Sequence, residues 1–157
     1  MLPAVIKEPV FKNHVQRLRY SYRHWTGKEL LPGLKTTDDP VAALFEAPFV
    51  LVSHGTETVP IFNFGNRRAL KLFEIDWEEF IRLPSKQSAD DESQQDRAEL
   101  MSRVAKNGFA LDCTGTRISS SGKRFYIEGA TVWNVVDENN QYHGQAAMFD
   151  RWTYIDA

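Results

Sequence analysis

The apolar residues of this chain change their period three times, and the order of those changes constrains the fold more than any other feature. Up to Glu46 the spacing is helical, from Pro48 to Phe64 it is strand-like, from Asn66 to Asn107 it is helical again, and from Phe109 onward it alternates. Helices, two strands, three helices and three strands in that order predict an α+β fold. The arrangement expected is one five-stranded antiparallel sheet with helices on one face and an N-terminal flanking helix.

Local signals set the element boundaries. Phe11, Val15, Leu18, Tyr22 and Trp25 recur at intervals of four, three, four and three, within an arc of about 80° at 100° per residue, which predicts a helix from Pro9 to Thr26. Gly27 suits its end. Asp38 and Asp39 before Pro40 predict a capped start for a short helix from Val41 to Glu46. Phe49–His54 and Pro60–Phe64 read as a hairpin across the turn at Gly55–Thr58. Asn66 and Asp76 read as N-caps of two further helices, the first from Arg67 to Glu74. The polar stretch Ser85–Gln95, centred on Asp90-Asp91-Glu92, predicts a loop. Asp96–Asn107 reads as a helix ending at Gly108. Phe109–Ile118, Lys123–Val136 and Tyr142–Tyr154 read as a meander turning at Ser119–Gly122 and Asp137–Asn140. Residues 1–46 are read as a helical extension and 47–157 as the main unit, the two forming one globular body.

Composition removes several functional classes. No apolar run approaches the ~18 residues of a membrane span, and Met1–Lys7 reads as no secretory leader. One cysteine, Cys113, excludes a disulfide framework and a Cys-rich zinc site, and fits a reducing cytoplasm. A formal net charge of −2 argues against nucleic acid as the main partner, despite Lys12, Arg17, Arg19 and Arg23 along the first helix. The four histidines show no metal-ligand spacing. There is no Gly-x-Ser-x-Gly nucleophile elbow and no phosphate-cradling loop, and the expected catalytic and metal sites are none.

Several segments together carry a resemblance. They are Ser21–Gly27, Ala47–His54, Pro60–Leu70, Leu83-Pro84-Ser85, Arg117–Phe125 and Gly144–Phe149. They resemble the MEKHLA domain, a relative of the PAS domain found as small stand-alone bacterial proteins and at the C-terminal end of plant class III homeodomain–leucine zipper regulators. The resemblance implies a PAS-like, non-enzymatic sensory, ligand-binding or interaction module and names no cofactor. The helix at Asp96–Asn107 lacks the axial histidine of haem-binding PAS sensors. Cys113 lacks the helical signature of the light-sensing ones, so a buried small residue is its simpler reading.

A hollow between sheet and helices is where a small apolar or aromatic ligand is expected. Phe62, Phe64, Phe109, Tyr126, Trp133 and Met148 are the candidate walls, and His54, Asn63, Asn134 and Gln145 the candidate polar groups. The competing reading is that the aromatics fill a solid core, and neighbouring strand residues face opposite ways. Two other functions compete. One is a ligand-free interaction module, dimerising through the apolar stripe of the first helix (Leu18, Tyr22) or through the sheet. The other is a small cone-shaped α+β enzyme with His54 and Asp112 as acid and base, which needs both to converge on one cavity.

Overall fold

The computed structural model describes residues 3–89 and 94–155. The elements are α1 (Pro9–Thr26), α2 (Pro40–Phe45), β1 (Val50–His54), β2 (Phe62–Gly65), α3 (Arg67–Phe73), α4 (Trp77–Phe80), α5 (Gln94–Asn107), β3 (Phe109–Ile118), β4 (Arg124–Val136), β5 (Tyr142–Phe149) and β6 (Arg151–Tyr154). The sheet runs β2-β1-β5-β4-β3, with β6 also on β4, and each of its strand pairs is antiparallel. β5 lies along Thr131–Val136 and β6 along Phe125–Glu128. The last predicted strand is therefore one row of the sheet, broken at Asp150, and the sheet has five rows.

The helix ends follow side-chain chemistry. Asp39, Asn66 and Asp76 accept the backbone N–H groups of Val41, Ala69 and Glu79, which satisfies donors that a helix start leaves open. Asn66 does more, because it is wholly buried. Its Oδ1 also accepts from Leu51 N at 3.1 Å, and its Nδ2 donates to Phe49 O at 2.8 Å and Leu44 O at 3.3 Å. One amide thus ties α2, β1 and α3 together.

The sheet is buried on both faces. Leu51, Trp133, Val135 and Ala146 pack with Val15, Leu18 and Tyr22 of α1. Val50, Val52, Ala130 and Phe149 pack with Ala69, Leu72 and Phe73 of α3, Phe80 of α4 and Leu100 and Val104 of α5. The alternation along β1, β4 and β5 assigns the two sets to opposite sides. The helices between β2 and β3 therefore gather on one face, while the flanking helix covers the other. The predicted loop Ser85–Gln95 divides: Ser85–Ser88 is a 3-10 turn with both serines buried, and Gln94 already belongs to α5. Its centre at Asp90–Glu92 lies outside the described residues.

Candidate functional site

Between the sheet and α3–α5 lies a cavity of about 90 Å³. Its walls come from Val52, Val132 and Ala147 at the middle of the sheet, Phe62 and Phe73 beside them, and Leu100 and Met101 of α5. Ile127, Ala130 and Phe149 extend the apolar surface. Polar atoms enter at two places. His54, Gln145, Ser85 and Ser88 cluster by β1 and β5, and Cys113, Thr114 and Arg117 come from β3.

Local backbone geometry builds the first cluster. His54 stands opposite Gln145 in the β1–β5 ladder. Gly144, at φ 128°, lets β5 come so close that a Cβ there would fall 1.9 Å from His54 O, so no larger residue keeps this register. Phe62 N donates to Leu83 O at 3.0 Å and Ser85 N to Pro60 O at 2.9 Å. Those bonds lay residues 83–85 along β2 and carry Ser85 and Ser88 to the cavity.

Hydrogen bonds orient these groups. Asn134 Nδ2 donates to Val104 O at 3.1 Å, which turns its Oδ1 toward Gln145 Nε2 at 3.1 Å. Because Val104 O can only accept, both amide orientations are determined, and Gln145 Oε1 and the second Nε2–H take no part in these two bonds. By the same reasoning His54 Nδ1 carries the proton it donates to Gly55 O at 3.0 Å. The Cys113 thiol is buried, points at Leu111 O at 3.7 Å, and has its pKa pushed up by that burial.

The structure brings only part of the predicted set together. His54, Phe62 and Gln145 line the cavity. Asn134 sits on the same face, behind Gln145. Phe64 and Trp133 are instead fully buried on the α1 side, and Met148 packs there too. Trp133 Nε1 donates to Ser21 Oγ at 3.0 Å, and Tyr22 meets its ring edge-on. Phe109 stacks on Trp25, away from the cavity. Asn63 turns to the α1 side, accepting from Ser53 Oγ at 2.5 Å. Tyr126 is exposed, and its neighbour Ile127 takes the cavity position. Two causes act. A sheet buried on both faces offers apolar residues at odd and even positions alike. Register shifts in β2 and near Gly129 of β4 also break the alternation, so that Phe62 and Phe64, or Ile127 and Trp133, share parity yet lie on opposite faces. The wall residues of α3 and α5, and the pair Ser85 and Ser88, had no sequence signal beyond apolar periodicity for the former.

The proposed acid and base do not converge. Asp112 is exposed at a bulge of β3, at φ 53°, outside the cavity wall that holds His54. The stripe of α1 is likewise taken: Leu18 and Tyr22 are 0% and 7% exposed in the chain's own core, so that stripe offers no surface to a second copy.

Three features outside the cavity bear on the fold. His14 of α1 reaches Ser53 of β1 and, through it, Asn63 of β2. Trp25 Nε1 donates to Asn134 O at 2.9 Å, its ring lying against Gly108, where a Cβ would come within 2.4 Å. The β3–β4 turn closes on the C-terminal end of α3. Glu74 receives the hydroxyls of Ser119 and Ser121 and stands 3.2 Å from Lys123 Nζ, while Ser120 N donates to Phe73 O at 2.9 Å. Among the described residues no group of three or more His, Cys, Asp or Glu is placed to hold a metal, and no helix is long and apolar enough to cross a membrane.

This architecture recurs in solved structures. A PAS domain from Colwellia psychrerythraea superposes with a TM-score of 0.60 at 17% identity, over 73% of this chain and 92% of that one. An RNA-binding light-oxygen-voltage receptor matches with a TM-score of 0.64 at 12% identity, over 82% of this chain and 36% of that one. At these identities the likeness shows the fold alone, and that fold is PAS-like. Among sequences, the homeobox-leucine zipper protein HOX32 of Oryza sativa subsp. japonica is 25% identical over 136 residues, 86% of this chain. REVOLUTA of Arabidopsis thaliana, also a homeobox-leucine zipper protein, is 23% identical over 146 residues, 89% of this chain. The chain spans only 16% and 17% of those two proteins. Residues 12–154 match the MEKHLA domain, from the first turn of α1 to the end of β6, and the chain belongs to the MEKHLA domain family.

Proposed function

We propose that this chain is a non-enzymatic sensory module that binds a small apolar ligand in the cavity between the sheet and α3–α5. The observation that carries the reading is the cavity itself: an apolar hollow on the middle of the sheet with a few hydrogen-bonding groups at its rim, the usual composition of a ligand site. Its size directs the choice of ligand. About 90 Å³ is well below the roughly 300–1,000 Å³ of drug-sized pockets, so the site suits a molecule of few heavy atoms and does not fit a flavin. The absence of a converged His54–Asp112 pair supports binding over catalysis.

The test uses protein purified without denaturation. Native mass spectrometry should find a small retained molecule, or a library of small apolar compounds should contain members that raise Tm by several degrees. Ala147→Leu, placed between Val52 and Val132, should fill the hollow and abolish both effects. Bare protein whose melting no compound moves would defeat the reading.

Self-association through the sheet is the second reading, supported by one observation. α1 leaves the far end of the sheet bare, where Tyr126 stands 38% exposed between Thr116 and Thr153 on the neighbouring strands. Tyr126→Asp should then convert a dimer to a monomer in sedimentation, and a wild type that is already monomeric dismisses it.

A further inference from the structure

A second groove runs along α1, with a volume of about 460 Å³, inside the roughly 300–1,000 Å³ of small-molecule sites. Val10 and Phe11 of α1, Ile61 before β2 and Ile81 after α4 give it apolar walls, and Phe62 borders both this groove and the cavity. Its polar lining holds donors and acceptors together. His14, 9% exposed, donates through Nε2 to Ser53, whose own proton goes to Asn63 Oδ1. That leaves His14 Nδ1 as an acceptor and Asn63 Nδ2 as a donor, neither with a partner among the described residues,.

The charges of the groove are also mixed. Arg17, half-buried, and Glu57 line it with opposite signs, yet among the described residues neither belongs to an ion pair. Glu57 Oε1 accepts from Ile61 N at 3.1 Å, which fixes the carboxylate over its own turn. His143 is engaged by Asp137, Nε2 to Oδ2 at 2.8 Å, and on its other side Arg17 borders Asp137 and Glu138. A lone anion would share this region with Glu57, Asp137 and Glu138, and a lone cation would share it with Arg17.

We propose that the groove binds a small zwitterion with an apolar body, of which an apolar α-amino acid is the simplest. Arg17 and Asn63 Nδ2 receive the carboxylate, Glu57 and His14 Nδ1 receive the ammonium, and the side chain lies on Val10, Phe11, Ile61 and Ile81. Charge-assisted hydrogen bonds then form at both ends of the ligand, a match that neither a simple carboxylate nor a simple amine makes. This site is independent of the cavity and of the reading given for it above.

L-Leucine, isoamylamine and isocaproate test it on the full chain, since they share one branched carbon skeleton and carry both charges, the cation alone and the anion alone. Titration at neutral pH, followed by amide NMR shifts at Ile61, Asn63 and His143, should show leucine binding at millimolar concentration and roughly tenfold more tightly than either analogue. Arg17→Gln should weaken leucine about tenfold without weakening isoamylamine. Glu57→Gln, whose amide oxygen still accepts from Ile61 N, should weaken leucine similarly without weakening isocaproate. The wild-type comparison stands even where a variant fails to fold. Millimolar leucine that shifts none of these amides, or an analogue that binds as well as leucine, overturns the proposal. So does a folded Arg17→Gln or Glu57→Gln protein with undiminished leucine affinity. Shifts confined to cavity amides such as Val52 and Ala147 overturn this site while leaving the cavity reading in place.

Discussion

His14 of α1 lies 2.9 Å from the hydroxyl of Ser53 on β1, thirty-nine positions away in the chain, and the pair is a polar pin between the flanking helix and the sheet. Ser53 gives its own proton to Asn63, so His14 Nε2 must be the donor, in a neutral ring. Burial, with Arg17 and His143 nearby, lowers the His14 pKa from 6.5 to about 4.

That displacement predicts a pH dependence. Between the folded pKa near 4 and the unfolded 6.5, the unfolded chain binds a proton that the folded one does not, so stability is full above about pH 6.5 and falls as pH falls. His14 should cost on the order of 2 kcal/mol between pH 7.5 and pH 5. Urea denaturation at both values checks it, with His14→Gln expected to remove that part of the loss. A variant with the wild-type pH dependence would show that His14 is not the group responsible.

Asn66→Asp should be far from conservative. A carboxylate keeps the acceptor for Leu51 N and Ala69 N but loses the donors to Phe49 O and Leu44 O, and buries a charge against two carbonyls. The expected loss is about 3 kcal/mol or more. It is read from the denaturation midpoint at constant m-value. A loss under about 1 kcal/mol would mean the site rearranges at little cost.

Glu74 should hold the β3–β4 turn far into acid. Hydrogen bonds from Ser121, Ser119 and Lys123 bring its pKa down from 4.5 to about 2, so its contribution is full above pH 4.5 and is lost as pH falls toward 2. Amide exchange at Ser120 and Lys123, corrected for intrinsic rates, should stay slow at pH 4. In Glu74→Ala the same amides should exchange roughly tenfold faster. Unchanged protection in the variant would assign the closure to the backbone bond from Ser120 to Phe73 alone.

Cys113 should be an inert thiol in the native protein. It is 6% exposed and burial raises its pKa, so little thiolate is present at neutral pH. Reaction with a thiol reagent at pH 7 should be on the order of a hundredfold slower than in the urea-unfolded chain. Comparable rates would reopen a redox role.

The sequence by itself determined the elements and their ends, because those depend on contacts a few residues long. The stripe of α1, its left-handed Gly27 cap at φ 73°, and the caps Asp39, Asn66 and Asp76 were all legible from spacing and side-chain chemistry. β3 matches its predicted range residue for residue. The cavity was less legible. Alternation along a strand separates two faces but does not say which face looks at the hollow when helices cover both. Trp133 and Val132 differ by one position, yet one lies beneath α1 against Ser21 and the other faces the cavity. Ser85 and Ser88 looked like solvent-facing loop, and only pairing of residues 83–85 with the edge of β2 buries them. Tertiary contact alone decided these placements, since burial of a polar or parity-ambiguous residue depends on which distant element supplies the cover.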